Sequence, residues 1–226
     1  MRSGARRFAV RAVVFDLDGV LVETEHVNVA SARDAFANAG LDLPADAESR
    51  IVGRHPVDYV PEFAREVGLP AGEIDALLRF QDGRYRERWT AEVRPVPDAI
   101  EVVRSLAAGG LRLAVATSAG AAHLEACLAR FGLESAFEVL VSKDDVTRRK
   151  PDPEAYRTAV ERLRVPASDA LAVEDTPVGV DAARGAGLRV LAVRTEAVPV
   201  DSIGHADLVL YGIREVLEVV TREPDR

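Results

Sequence analysis

The stretch that most constrains this chain is Ala12-Val13-Val14-Phe15-Asp16-Leu17-Asp18-Gly19-Val20. Val13 to Phe15 show no polar alternation, which predicts a strand buried on both faces, the pattern of a parallel sheet. The run ends in two carboxylates, Asp16 and Asp18. In extended geometry residues two apart point the same way, so both can face one ligand. Desolvating a carboxylate is costly unless a positive charge compensates it. A divalent cation is the natural compensator, because hard cations take oxygen ligands. Gly19 lets the backbone turn sharply and approach a ligand closely.

The rest of the chain supplies partners for that strand. Expected strands at 111–116, 137–141, 170–173, 189–193 and 207–210 alternate with expected helices at 121–131, 153–163, 177–186 and 213–221. Such alternation means an α/β fold, a doubly wound parallel sheet with helices on both faces. Asp98 is the expected N-cap of a further helix through Ile100, Val103 and Leu106, stopped by Gly109-Gly110. Between Val27 and Val93 nothing reads as a strand. Helices are expected at 27–39, in a short piece up to 51–54, at 56–67 with a break or start at Pro61, and between Gly72 and Val93. An all-helical block between two strands of an α/β pattern predicts an inserted cap domain packed over the site. The expected division is 1–24 with 95–226 for the core and 25–94 for the cap. Parallel sheets bind ligands beyond the carboxyl ends of their strands. The polar residues expected there are Asp16 and Asp18, Thr117-Ser118, Lys150, and Glu174-Asp175.

Composition narrows the partners. The net charge of −8 argues against nucleic acid or an anionic membrane as the main partner, and means that a site for an anion must make its own positive field. Cys127 is the single cysteine, so no intrachain disulfide forms, and a reducing, cytoplasmic location is expected. Cys127 itself is expected to be inert core, sharing a helical face with Leu124, Leu128 and Phe131. No apolar run approaches membrane-spanning length. The basic start, Met1 to Arg7, is a poor secretion signal and reads as a tail before the first strand. The four histidines show no zinc-binding spacing. Of 29 basic residues only Lys143 and Lys150 are lysines, so a lysine in this chain invites a reason.

Four segments together resemble the haloacid dehalogenase (HAD) superfamily. Asp16-Leu17-Asp18-Gly19-Val20-Leu21-Val22-Glu23-Thr24 is similar to its first motif, D-x-D-G-[TV]-L-x-[DE]-[ST]. Ala114-Val115-Ala116-Thr117-Ser118 resembles the second, Arg149-Lys150-Pro151-Asp152-Pro153 the third, and Ala172-Val173-Glu174-Asp175-Thr176-Pro177-Val178-Gly179 the fourth. All four occur in order, so the likeness covers nearly the whole chain. It implies a Rossmann-like core and a magnesium-dependent phosphatase acting on a small phosphorylated metabolite, such as a sugar phosphate or phosphoglycolate. Asp16 would be the nucleophile that forms an aspartyl-phosphate. Asp18 would protonate the leaving oxygen and later activate water. Thr117, with Ser118 beside it, would bind phosphoryl oxygens, and Lys150 would link the phosphoryl group to Asp16. The Mg2+ ion would be held by Asp16, the backbone carbonyl of Asp18, Asp175 and Glu174. In similar caps the segment from Val52 to Pro56 reaches the substrate, which would put Arg54 against the leaving group. An acid at position 18 goes with the phosphoryl-transfer branch rather than with dehalogenases. The third motif departs from its usual G-K-P-x-P in having Arg149 where glycine is preferred.

Three other readings compete. A phosphomutase of the β-phosphoglucomutase type carries a histidine twelve residues after the nucleophile, where this chain has Asn28. A signalling receiver domain also combines acidic residues, Thr or Ser, and Lys on a doubly wound sheet. Its nucleophile follows its acidic pair, however, and its chain is about half as long. A catalytically dead binding module on the same fold would be expected to lack some of the motif residues, all of which are present here.

Overall fold

A computed structural model describes residues 7–51, 54–195 and 198–223. The first six residues of the basic start and positions 52 and 53 lie outside them. The chain divides into two compact units, residues 1–22 with 95–226, and residues 23–94. In chain order the elements of the first unit begin with strands β1 (Phe8–Val10) and β2 (Ala12–Phe15). The chain leaves through β3 (Val22–Glu23), forms helices α1 (Glu25–Asn38), α2 (Ala47–Ile51), α3 (Pro56–Glu66) and α4 (Ile74–Glu92), and returns through β4 (Arg94–Pro95). There follow α5 (Ala99–Ala108), β5 (Arg112–Ala116), α6 (Ala121–Phe131), β6 (Val139–Val141), α7 (Glu154–Leu163), β7 (Ala170–Glu174) and α8 (Pro177–Gly185). The chain ends in β8 (Arg189–Val193), α9 (Val200–Ile203), β9 (Leu208–Leu210), α10 (Val216–Val219) and β10 (Val220–Arg222).

Six strands form one sheet in the order β6-β5-β2-β7-β8-β9, every neighbouring pair parallel. The central strand is β2, whose four residues have no solvent exposure. Helix α7 packs on β2, β5 and β6, and α8 on β7 and β8. Burying a Val, Leu or Phe side chain fully contributes about 1.5–3 kcal/mol, which is why an unbroken apolar run occupies the middle of the sheet. Register then fixes the site: Phe15 lies beside Val115 on one side and Val173 on the other. The residues that follow these three emerge at one edge.

The helical unit is built around its own apolar cluster, including Phe36, Ile51, Tyr59, Val60, Phe63 and Leu77. Pro61 neither breaks nor starts α3, which begins at Pro56 with His55 as its N-cap and runs through Pro61. Tyr59, Val60, Phe63 and Ala64 are all fully buried, and that packing outweighs the one backbone hydrogen bond that proline removes.

Two further expectations are revised. Asp98 stands at the N-cap of α5 in a left-handed conformation (φ 66°), but its carboxylate does not cap the helix. It faces Arg214 at 3.5 Å instead. The expected helix at 213–221 is short: α10 stops at Val219, and Val220 to Arg222 pair in parallel with Phe8 to Val10. β-Branched Val220 and Thr221 favour extension, and β1 provides a partner. Among the described residues no helix is long and apolar enough to cross a membrane.

Candidate active site

The site grows out of three adjacent parallel strands. Asp16 follows β2, and its backbone N–H donates to Val173 of β7 (2.9 Å). Thr117 follows β5, its N–H donating to Val141 of β6 (2.9 Å). Glu174 ends β7 and Asp175 follows it. Asp16, Thr117, Glu174 and Asp175 are all buried.

Lys150 arrives from the loop between β6 and α7. Its Nζ donates to Asp16 Oδ1 and to Glu174 Oε1, both at 2.6 Å. The sequence separates Lys150 from these partners by 134 and 24 residues, so only the fold assembles the bridge. Burial disfavours the ammonium, but the charges and hydrogen bonds of Asp16 and Glu174 outweigh it and hold Lys150 protonated beyond the ordinary lysine range. It is therefore a fixed positive charge rather than a base. Burial pushes the Asp16 carboxyl up; Lys150 opposes that shift, and the nearby charges of Glu174 and Asp18 reinforce it.

Glu174 is held on both oxygens. Oε1 accepts from Lys150 and from the Tyr156 hydroxyl (2.7 Å). Oε2 accepts from the backbone N–H of Asp175 (3.0 Å) and from the N–H and hydroxyl of Thr176 (3.3 Å each). Thr176 also N-caps α8 by accepting from Gly179 N–H at 3.1 Å. Gly179 makes the arrangement possible, since a Cβ there would fall inside the Glu174 carboxyl group. Gly19 has the same role on the other side. Its φ is +81°, and a Cβ there would collide with the Asp175 carboxylate.

Ligand atoms of Asp16, Glu174 and Asp175 lie within 4.8 Å of one another. Lys150 joins two of these three buried carboxylates, Asp16 and Glu174, and oxygen ligands clustered this closely suit a hard divalent cation. The donor set therefore fits a metal ion. The Asp18 side chain stands outside that trio, on a half-buried turn closed by Gly19 N–H to Val22 (2.8 Å) and Leu21 N–H to Leu17 (2.8 Å). The Thr117 hydroxyl oxygen accepts from Ala119 N–H at 3.0 Å, which leaves its proton available to donate, and Ser118 is exposed.

Arg54 belongs to the helical unit, away in the chain from these strand ends. Its guanidinium donates to Glu62 (2.7 Å), Asp58 carbonyl (3.1 Å) and Arg50 carbonyl (3.2 Å), all within that unit. Cys127 is buried on α6, its Sγ 3.6 Å from His123 Nε2.

Sequence reasoning passed over Tyr156. It is fully buried, its hydroxyl is bonded to Glu174, and Lys150 Nζ lies 4.7 Å from the centre of its ring. Burial, then the Glu174 charge, pushes its hydroxyl well above the ordinary tyrosine range, so it acts as a donor. A signal existed: Tyr156 shares the buried face of α7 with Ala155, Ala159, Val160 and Leu163, and a buried tyrosine hydroxyl needs a partner.

With this geometry in place, comparison with known proteins is decisive. Residues 13–193 match the model of the haloacid dehalogenase-like hydrolase family. The chain belongs to that family. It is 33% identical over 207 residues to protein CbbY of Rhodobacter capsulatus, covering 88% of this chain and 91% of that one. It is also 33% identical over 221 residues to validoxylamine A 7'-phosphate phosphatase of Streptomyces hygroscopicus subsp. limoneus, covering 91% and 95%. The crystal structure of CbbY from Rhodobacter sphaeroides in complex with phosphate superposes with a TM-score of 0.78 at 28% identity, over 92% of this chain and 96% of that one. By class this member of the family is a phosphoric monoester hydrolase.

Proposed function

We propose that this hydrolase is a magnesium-dependent phosphatase of a small phosphorylated metabolite, of the sugar-phosphate or phosphoglycolate kind, working through an aspartyl-phosphate on Asp16. The observation that carries the reading is the Lys150 ammonium bridging Asp16 and Glu174 beside Asp175. Asp16, Asp175, Glu174 directly or through water, and the backbone carbonyl of Asp18 would hold the magnesium ion, which would offset the charge of the phosphate oxygens.

The chain's own residues account for the chemistry. A carboxylate oxygen of Asp16 attacks phosphorus, and the bond from phosphorus to the leaving oxygen breaks. Asp18 gives that oxygen a proton, so the alcohol departs neutral. The Thr117 hydroxyl and the Lys150 ammonium hold the phosphoryl oxygens as charge shifts onto them. Asp18, now a carboxylate, takes a proton from water, whose oxygen attacks the same phosphorus. The acyl-phosphate bond breaks, inorganic phosphate leaves, and Asp16 is regenerated.

Asn28 supports a phosphatase over a mutase. Its Oδ1 accepts from the Tyr59 hydroxyl (2.8 Å) and from Gln81 Nε2 (3.3 Å), in a network with no side chain that titrates near neutrality. The related validoxylamine enzyme is named for the 7'-phosphate of validoxylamine A, in keeping with a phosphomonoester substrate.

The test is a panel of phosphorylated metabolites with magnesium, with and without EDTA, beside Asp16→Asn. Steady phosphate release from at least one phosphomonoester is expected, with background rates in the chelated sample and the variant. Equal rates in all three would overturn the reading. A single slow labelling without turnover would favour a receiver.

A further inference from the structure

We propose that Lys143 binds a second anionic group on the substrate, on the part of the molecule that leaves. The preferred substrates would then be phosphomonoesters carrying a further phosphate or carboxylate. This inference rests on the phosphatase reading above and narrows its substrate class.

The chain's only two lysines lie on one connection, the loop from β6 to α7, at the carboxyl end of the sheet. Lys150 is engaged with Asp16 and Glu174. Lys143 is exposed, and among the described residues its ammonium has no hydrogen-bond or ion-pair partner.

Its position is built rather than incidental. Lys143 N–H donates to the Ala119 carbonyl (2.9 Å), so its loop is stitched to the loop that carries Thr117. Its stem lies across Gly120: a Cβ at that glycine would stand 3.3 Å from Lys143 Cε and 3.9 Å from its Nζ. The absence of a side chain at 120 thus leaves room for the lysine three residues beyond Thr117.

The acidic neighbours are occupied. Asp144 Oδ2 accepts from the Ala121 N–H at 2.8 Å. Asp145 accepts from Arg162 (2.8 Å) through Oδ1 and from the Ser142 hydroxyl (2.8 Å) and N–H (2.9 Å) through Oδ2. Asp145 is thus ion-paired with Arg162 and Asp144 is turned to the backbone of α6, while the Lys143 ammonium is held by neither. A flexible stem ending in a point charge suits an anion on a part of the substrate that is not reacting. In a chain of net charge −8, such a cation also supplies attraction where a doubly charged substrate needs it.

The readout is a ratio of kcat/KM within matched pairs: 3-phosphoglycerate over glycerol 3-phosphate, and fructose 1,6-bisphosphate over fructose 6-phosphate. The wild type is expected to favour the more anionic member of at least one pair, and the pair that responds tells carboxylate from phosphate. Lys143→Met should lower that ratio about fivefold to tenfold, as loss of one solvent-accessible charged hydrogen bond does. Lys143→Arg should retain most of it, and added salt should shrink it. Calorimetric affinities on Asp16→Asn give the same ratio without turnover. A Lys143→Met ratio within twofold of wild type, or a wild type without preference in either pair, would overturn the inference. Absence of hydrolysis of every phosphomonoester would instead count against the phosphatase reading.

Discussion

In the core, Asp16, Glu174 and Asp175 are buried close together with Lys150 joining the first two, whereas in the helical unit Arg50 meets Asp46, Glu62 and Glu66 with a quarter of its side chain in water. Arg88 and Arg84 likewise share Asp34 between α1 and α4, part-exposed on both sides. The Arg88 hydrogen bond is the main cause that holds Asp34 below the ordinary carboxylate range. Exposed pairs of this kind contribute about 0–1 kcal/mol each. The helical unit gets its stability from its apolar cluster, with its charges matched on the surface. The core gathers three buried carboxylates at adjacent strand ends. Carboxylates buried together at the ends of strands mark chemistry, and ion pairs at the surface mark architecture.

Substitutions can break this contrast. The largest effect is expected from Asp16→Asn, which would remove the proposed nucleophile and should lower kcat by at least about a thousandfold while the circular dichroism spectrum stays native. Activity within tenfold of wild type would place the chemistry elsewhere. Chelation should come next. EDTA should take turnover to background, and magnesium at a hundred times its Kd should stabilise the fold by about 2.7 kcal/mol, read as a rise in Tm.

The sign of the pH effect follows from Asp16. Its carboxyl is raised by burial, so the folded, metal-free protein keeps a proton that the unfolded chain releases in the ordinary carboxylate range. Metal-free stability should therefore fall as pH rises from that range toward the raised folded value. The proton also competes with the metal, so magnesium affinity measured by calorimetry should weaken as pH is lowered. A pH-independent affinity would remove Asp16 from the metal site.

Smaller effects follow. Gly179→Ala drives a methyl group into the Glu174 carboxyl, and overpacking of this kind costs about 1–3 kcal/mol, visible in urea unfolding together with a fall in kcat. Tyr156→Phe keeps the ring beneath Lys150 and removes only the donor to Glu174. A stability loss of about 1 kcal/mol and a severalfold fall in kcat are expected. The smallest effect should come from Arg54→Ala. Its guanidinium is 36% exposed and already bound to Glu62, so stability should change by less than about 1 kcal/mol and kcat/KM by less than about threefold. A loss beyond tenfold in kcat/KM would show that Arg54 leaves Glu62 for a substrate and would sharpen the division between the two units.

Much of this was legible beforehand. The β2 run with its Asp16 and Asp18 ending, the glycine-stopped helices and the alternation from β5 onward are local signals, governed by side-chain period and backbone freedom. The helix through Pro61 was not legible, because the packing of Tyr59 and Phe63 that sustains it is non-local. Nor was β10, since Val220 and Thr221 extend only where Phe8 to Val10 offer a partner. Nor was the role of Tyr156, because its hydroxyl's partner lies in a strand 18 residues away.

The sequence by itself determined which groups stand at the ends of strands and that two acidic residues follow the central one, because alternation, turns and glycines act within a few residues of one another. Only the tertiary structure decided that Lys150 would join Asp16 to Glu174, that glycines at 19 and 179 would make room for Asp175 and Glu174, and that Arg54 would bind within its own unit. Those outcomes depend on the register between strands and on loops meeting across the sheet, where charges far apart in the chain come within hydrogen-bonding distance.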